Sequence, residues 1–339
     1  MSDIDQLMDN AAAQCSRHEC EAAIRALESA AQLAPQEWKV QYHLGLCFAG
    51  GCLLHPLVDP DVALYHLQNA LSLLPGSAKI EDRASVLSTL GNTYLASHQL
   101  PVKARVGAAL ECQRQASAMY QSQGDLDHWA REEYNLGNTW CECPQKSSPD
   151  KWQHAVQHYT AALQVWTRDQ DAKRYAKVLQ NLGTAYRELK TGDRRENICR
   201  ALRCYRRALQ ISNQEFRTGS PSIHNNIGTA LLSVSADDPR RNIRRALAAL
   251  RHFELALRTL DEEASPRIYA FAQFNCGQAL LRLASLGENP RLHLERALRL
   301  FTESRDWFLL HSQAALAESA RECLQEVMAL SSKFNAAEP

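Results

Sequence analysis

Residues 180–209 read QNLGTAYRELKTGDRRENICRALRCYRRAL. This stretch holds Gly183 inside an apolar phrase, followed by two alanines seven residues apart, Ala201 and Ala208. Seven residues are two turns of an α-helix, so the two alanines share one helix face. Small residues on one face allow a second helix to approach closely. The stretch therefore predicts two antiparallel helices in close contact.

The same pattern recurs along the chain. A glycine preceded by an apolar residue or a cysteine returns at spacings of 46, 46, 46, 45 and 49 residues. The six positions are Gly45, Gly91, Gly137, Gly183, Gly228 and Gly277. Five of them are followed eighteen residues later by an alanine, namely Ala63, Ala109, Ala155, Ala201 and Ala246, and the sixth copy slips by two to Ala297. A fixed period of this length is the signature of a repeat protein.

Prolines mark where the helices begin. Six prolines follow a serine, aspartate or asparagine, whose side chain can accept a hydrogen bond from a free amide at a helix start. They are Pro60, Pro149, Pro221, Pro239, Pro266 and Pro290. The predicted helix pairs are 4–16 with 20–33, 36–50 with 60–74, 78–98 with 102–122, 126–142 with 149–168, 171–190 with 195–213, 221–235 with 239–260, and 266–286 with 290–309. A last helix is predicted at about 312–332.

We therefore predict an all-α protein, an α-solenoid of about seven antiparallel helix pairs with a C-terminal capping helix, wound as a right-handed superhelix. The whole chain, 1–339, is expected to be one domain. Its expected parts are an ordinary-length repeat at 1–37, six long repeats of about 46 residues at 38–310, the capping helix at 311–332 and a disordered tail at 333–339.

These residues resemble the tetratricopeptide repeat (TPR) family. The first pair resembles an ordinary 34-residue copy. The later copies, written as QNLGTAYRELKTGDRRENICRALRCYRRAL in residues 180–209, are similar to the longer repeats that precede caspase-like (CHAT) domains in bacteria and to those of kinesin light chains. The resemblance covers nearly the whole chain, and it is specific for fold and weakly specific for function. Only about thirty residues follow residue 309, so we expect no protease domain there.

Composition narrows the class of protein. Hydrophobic residues make up 45% of the chain, charged residues 22%, and the net charge is zero. This mix is typical of a globular protein and gives no general preference for nucleic acid or a membrane surface. We find no apolar run long enough to span a bilayer, and the acidic N-terminus differs from a signal peptide, so a cytoplasmic location is expected. Eleven cysteines are then expected to be reduced thiols.

Catalytic motifs are missing from the sequence. We find no Gly-rich phosphate loop, no G-x-S-x-G elbow and no H-E-x-x-H, so we expect no enzyme activity and no cofactor. One set of residues is typical of a metal site: Cys141, Cys143, His154 and His158. The two histidines are four residues apart and share a helix face, so they could bind one ion. The alternative interpretation is a solvated flank beside the inward Ala155 and Tyr159.

Charge is distributed unevenly. Residues 1–75 hold three Lys/Arg and nine Asp/Glu, whereas residues 190–258 hold fourteen Lys/Arg and six Asp/Glu. Two arginine groups stand out, Arg200, Arg203 and Arg207, and then Arg241, Arg244 and Arg245. One interpretation is a ridge that binds an acidic partner, with nucleic acid as a further alternative. The other is a solvated outer face with local salt bridges.

Asparagines recur beside the repeat glycine. They stand two residues before it in four copies and one residue after it in two. In a TPR stack the first helix of each pair lines the concave face, and kinesin light chains hold an extended peptide there with asparagines; this is what the resemblance implies. The predicted peptide-binding residues are Asn92, Tyr134, Asn135, Asn138, Gln180, Asn181, Thr184, Asn225, Asn226, Thr229, Phe274, Asn275 and Gln278. Arg131, Lys177 and Arg187 are predicted to flank them and favour an acidic ligand. The amides could instead bond neighbouring helices.

The predicted function is that of an adaptor or scaffold that binds a protein or peptide on its concave face. Two alternatives stay open. The chain could be a regulatory subunit of a separately encoded effector such as a protease, as the resemblance implies. It could also be a metal- or redox-sensing protein that uses its cysteines and histidines.

Overall fold

The computed structural model describes residues 3–17, 19–50, 58–144, 148–216, 220–263 and 265–336. Within these ranges the chain forms fifteen α-helices and no β-strand. The helices are α1 (Asp3–Ser16), α2 (Cys20–Leu33), α3 (Trp38–Phe48), α4 (Pro60–Leu73), α5 (Ile80–Ala96), α6 (Val102–Ser122), α7 (Leu126–Glu142), α8 (Lys151–Val165), α9 (Ala172–Glu188), α10 (Arg194–Phe216), α11 (Pro221–Leu232), α12 (Pro239–Thr259), α13 (Pro266–Ser285), α14 (Pro290–Leu310) and α15 (Ala314–Ala336). The all-α prediction is confirmed.

The helices divide into two compact units. The first unit, Met1–Trp166, holds four antiparallel pairs, α1 to α8. The second unit, Thr167–Pro339, holds three pairs, α9 to α14, and the unpaired α15. Within each unit the two helices of a pair pack together, and each pair packs against its neighbour in sequence. The prediction of one continuous domain stays a prediction.

Each repeat glycine lies where the second helix of its pair crosses the first. A Cβ atom on Gly137 would lie 2.5 Å from Cε1 of Tyr159, and one on Gly183 would lie 2.7 Å from Cε1 of Tyr205. The same crossing pairs Gly45 with Leu67, Gly228 with Phe253 and Gly277 with Phe301. The repeated alanines on the second helices are buried at the same crossings. The recurring glycine is therefore explained by close packing, since no larger residue fits there.

Helix starts agree with the proline signals in all copies except one. The carboxylate of Asp59 accepts hydrogen bonds from the amides of Asp61 and Val62 at the start of α4. Helix α8 begins at Lys151 instead of Pro149, with Asp150 in the capping position. No helix in the described ranges is both long and apolar enough to cross a bilayer.

The C-terminal helix is longer than predicted. Helix α15 continues to Ala336, so residues 333–336 are helical and the expected disordered tail is wrong for them. The reason is that no glycine or proline stands between Ala314 and Ala336 to end the helix. Ala317, Ala320 and Leu324 bury one side of α15 against the unit, while the polar Glu318 and Glu322 are exposed. Residues 337–339 of the predicted tail lie outside the described residues.

Candidate functional site

The repeat glycine sets the direction of its neighbours on the first helix of each pair. At about 100° per residue, the positions two before and one after the glycine lie about 160° and 100° away from it. The glycine faces the second helix, so the position two before it points away from that helix. The position one after it lies at the side of the pair, where Gln278 is exposed but the Thr184 hydroxyl lies 3.1 Å from that of Tyr205 on the second helix. In the second unit the two positions form a surface that we call the amide face: Asn181, Thr184, Asn226, Thr229, Asn275 and Gln278.

Amides link successive first helices in the second unit. Asn275 Nδ2 on α13 donates to Asn225 Oδ1 on α11 at 2.9 Å. Gln180 Nε2 on α9 donates to Ser222 Oγ on α11 at 3.3 Å. Some of the predicted binding residues therefore also bond neighbouring helices, as the alternative interpretation had it. Each such amide uses only part of its capacity, since a side-chain amide carries two donor hydrogens and one acceptor oxygen.

Two amides on this surface keep their full hydrogen-bonding capacity. The half-buried Asn226 and the exposed Gln278 form no side-chain hydrogen bond with any residue in the described ranges. Thr229, beside Asn226, donates its hydroxyl to the backbone oxygen of Asn225 at 2.9 Å. On the amide face, Asn275, which is fixed by its bond to Asn225, thus lies next to amides that are available to a ligand.

The first unit uses its amides internally. Asn92 Oδ1 accepts from Gln113 Nε2 at 3.1 Å, and Thr139 donates its hydroxyl to Gln113 Oε1 at 2.7 Å. Asn138 Oδ1 accepts from the hydroxyl of Tyr159 at 2.8 Å. Gln113 is fully buried and was missed by the sequence analysis. The signal was available, because counting 22 residues from Gly91 gives this glutamine, whereas the same count gives leucine or tyrosine in four of the other five copies.

Two adjacent acids on α7 are also buried and were not predicted. Glu132 is 0% exposed, and Ser88 donates to its Oε1 at 2.6 Å. Burial raises the pKa of the Glu132 carboxyl. Asn135, a predicted binding residue, reaches Glu132 with Nδ2 to Oε1 at 3.5 Å. Next to it, Glu133 accepts from Ser117 at 2.8 Å. These contacts tie α7 to α5 and α6, so this part of the first unit is structural.

Phe274, one of the predicted peptide-binding residues, lies in the core instead of on the concave face. Phe274 is 7% exposed, and its ring packs edge-on against Phe301 at 5.6 Å and Phe308 at 6.1 Å between centroids. Phe274 stands three residues before Gly277, so its position on the helix is only about 60° away from that of the glycine. That position therefore points toward the second helix and the core.

The other predicted aromatic and the cationic flank lie at the surface. Tyr134 is half-buried, with its ring centroid 6.1 Å from that of Trp166. Arg131 is half-exposed, with Nε 3.6 Å from a Glu132 oxygen. Arg187 donates from Nε to Glu188 at 3.0 Å, and Lys177 is exposed. Arg131 and Arg187 are thus partly neutralised by neighbouring acids.

The structure does not bring together the metal candidates Cys141, Cys143, His154 and His158. His154 stacks on Trp140 with centroids 4.2 Å apart, whereas His158 Nδ1 bonds Glu133 Oε2 at 2.8 Å. Cys141 Sγ lies 3.5 Å from the hydroxyl of Tyr159. Burial raises the pKa of both thiols, which opposes the thiolate form that binds metals. Among the described residues, no group of three or more His, Cys, Asp or Glu is placed to hold a metal ion.

The two arginine groups lie on the second helices α10 and α12. Arg200 pairs with Glu196 at 2.5 Å, and Arg245 donates to the backbone oxygen of Val234 at 3.2 Å. Arg241 Nε lies 3.8 Å from Asp238. The remaining members, Arg203, Arg207 and Arg244, are exposed and form no ion pair with a described residue. Local contacts thus pair three of these six arginines, and the other three stay unpaired among the described residues.

Comparisons with known proteins agree with the repeat architecture. No protein-family model and no curated protein matches the chain. A tetratricopeptide repeat protein from Parabacteroides merdae is 13% identical over 97% of this chain and 100% of its own, with a TM-score of 0.56. The apo form of RapI is 12% identical over 97% and 99%, with a TM-score of 0.53. The C-terminal part of a TPR repeat-containing protein from Cytophaga hutchinsonii is 13% identical over 86% and 95%, with a TM-score of 0.51. The fold of this chain is that of a tetratricopeptide-repeat solenoid.

Proposed function

We propose that the chain is a protein-binding scaffold that holds an extended peptide segment on the amide face of its second unit. The observation that carries this proposal is the set of unused amides. Asn226 and Gln278 have no side-chain hydrogen bond with a described residue, and they stand beside the bonded pair Asn225 and Asn275. Both amides are accessible at the surface, so a ligand can reach their donor and acceptor groups without first breaking a hydrogen bond within the protein.

An extended peptide matches the chemistry of this surface. Each peptide unit presents one N–H donor and one C=O acceptor, and a side-chain amide can meet both. Such bonds hold the backbone without reading its side chains. Each contributes about 1 kcal/mol, so amides alone give register with modest affinity. Further affinity requires an apolar side chain of the ligand in a pocket.

A cleft beside the amide face supplies such a pocket. It has a volume of about 300 Å³ and lies between α11, α13 and α15. Leu232 and Leu281 give it an apolar wall, and Gln278 and Arg282 give it a polar rim. The cleft supplies the apolar contact that the buried Phe274 does not. Arg282 supports an acidic residue in the ligand at this end, while Glu326 on the opposite wall limits the net positive charge.

The test begins with peptides selected from a display library on the full-length protein. Their affinity is then measured by calorimetry for the wild type and for the double variant Asn226→Ala with Gln278→Ala. Loss of two hydrogen-bonding amides should weaken binding by about 2 kcal/mol, or roughly 30-fold, without changing helicity. The matched control is Gln210→Ala with Gln325→Ala, which removes two exposed amides on other faces. Equal affinity of wild type and double variant would place the binding surface elsewhere.

A further inference from the structure

The outward side of α12 carries arginines and leucines in one stripe. At about 100° per residue, six residues fall within an arc of about 80° and extend over about 27 Å of helix axis. They are Arg240, Arg244, Leu247, Arg251, Leu255 and Arg258, and we call them the α12 stripe. The four arginines are exposed, Leu247 is 43% exposed and Leu255 is half-buried. The core residues Ala249 and Phe253 lie on the other side of the helix.

The arginines of the stripe lack ion-pair partners within the part of the chain that the structure describes. The helix has no acid in its first turn, so Arg240 lies near the positive end of the helix dipole, and the carboxylate of Asp238, which accepts from the Arg240 amide at 2.9 Å, caps that end. The one acid of α12, Glu254, lies about 20° beyond the edge of the stripe and pairs with Arg296 on α14 at 2.8 Å instead of with a stripe arginine. Local pairing therefore does not account for the stripe.

The residue types of the stripe indicate the chemistry of its ligand. Its cations are all arginines, and the planar guanidinium binds a carboxylate or a phosphate with two parallel hydrogen bonds. An exposed leucine between Arg244 and Arg251 gains little from a phosphate backbone, but it can bury the apolar side chain of a peptide. Single-stranded nucleic acids stack their bases on aromatic residues, and the stripe has none. Carboxylates combined with an apolar side chain fit the stripe better than nucleic acid does.

We propose that the α12 stripe binds an acidic segment of a partner protein that carries a leucine-sized apolar side chain among its carboxylates. The stripe is long enough for about eight residues of extended chain or about 18 residues of helix. It belongs to the second helix of its pair, so the proposal does not depend on peptide binding at the amide face.

The test uses a fluorescently labelled 18-residue helical peptide with glutamates and leucines on one face, and it measures anisotropy with the full-length protein at low and high salt. The double variant Arg244→Glu with Arg251→Glu should bind the peptide at least about tenfold more weakly, and added salt should weaken wild-type binding. The matched control is Lys79→Glu with Lys103→Glu, two exposed lysines of the first unit that give the same change in net charge. Circular dichroism checks that each variant is folded.

A second arm tests the apolar contact. Replacing the peptide leucines by serine should weaken binding about threefold to tenfold, and so should replacing Leu247 by serine. The two changes together should weaken binding little more than either one alone, because both remove the same contact. Equal binding of the serine peptide, tighter binding of a single-stranded DNA of equal charge, or an equal loss in the lysine control would each overturn the proposal. So would the absence of peptide binding at millimolar concentration in low salt.

Discussion

Single residues determine how closely the helices of a pair approach, and Gly183 shows this most directly. The ring of Tyr205 is fully buried, so it cannot move away from a new side chain. A Cβ on Gly183 would lie 2.7 Å from Tyr205 Cε1. We predict that Gly183→Ala lowers the free energy of unfolding by about 1–3 kcal/mol through overpacking, and that Gly183→Leu lowers it further.

A second glycine gives the control for this prediction. Gly107 lies in α6, and beyond its chain neighbours and the adjacent backbone of its own helix no atom lies within 4 Å of an added Cβ. There, Gly107→Ala should stabilise the protein by about 0.5–1 kcal/mol, because alanine favours the helix and nothing opposes it. Urea denaturation followed by circular dichroism measures both changes. If the two variants changed stability in the same direction, the close packing at Gly183 would not be the cause of the recurring glycine.

A pair of histidines in the second unit gives stability a dependence on pH. His252 Nδ1 lies 2.9 Å from His224 Nδ1. Burial, together with the smaller effect of the positive charges of His224, Arg206 and Arg251, lowers the pKa of His252 to about 4. The unfolded chain titrates near pH 6.5, so between that pH and about 4 the unfolded state binds the proton and the folded state does not. This contribution to stability is therefore present above pH 6.5 and is lost on acidification.

We predict that the melting temperature of the wild type falls more steeply between pH 7 and pH 5 than that of His252→Gln. Glutamine can still hydrogen-bond to His224, but it cannot take up a proton. Melting curves at several pH values, at constant ionic strength, measure the two slopes. Parallel slopes would mean that His252 is protonated as easily in the folded protein as in the unfolded chain.

Among the helices, the sequence signals were reliable at starts and less so at ends. Helices α4, α11, α12, α13 and α14 begin at the predicted prolines. The proline fixes the backbone angle of the first turn, a local effect that needs no neighbour. Helix α10 continues to Phe216, three residues beyond its predicted end, because no stop residue stands there. An end without a glycine or proline is set by tertiary packing, which a sequence pattern does not show.

The sequence predicts the direction of a site residue where that direction follows from its number of residues before or after the repeat glycine, which we call its phase. Phase alone selects Asn226 and Gln278 as outward residues, and both lie at the surface. It also places Phe274 nearer the core, and the sequence analysis erred there by treating an aromatic as a binding residue. Asn92 bonds Gln113 of another helix, and Asn135 approaches Glu132, which is itself held by Ser88 of another helix, so only the structure reveals that these amides are in use.

For the molecule as a whole, the important property is that contacts are local. Within each unit a helix packs mainly against its neighbours in sequence, as α9 does against α10 and α13 against α14. Such an arrangement does not require one shared core, and stability can differ from one repeat to the next. Burial differs strongly between helices. Only Ala11 is buried in α1, whereas α13 buries eleven of its twenty residues.

This difference predicts a gradient of local opening along the chain. Helix α1 has little apolar surface to lose when it separates from α2, so its amide hydrogens should exchange through local opening. Amides in α13 should exchange only when the second unit opens more widely. We expect exchange in α1 to be at least about 100-fold faster than in α13 at neutral pH, after correction for intrinsic rates, a difference of roughly 3 kcal/mol in opening free energy. Hydrogen-exchange mass spectrometry with peptides from both helices measures this directly. Equal protection of α1 and α13 would mean that the chain unfolds as one cooperative block, and the local contacts of a repeat protein would then not govern its stability.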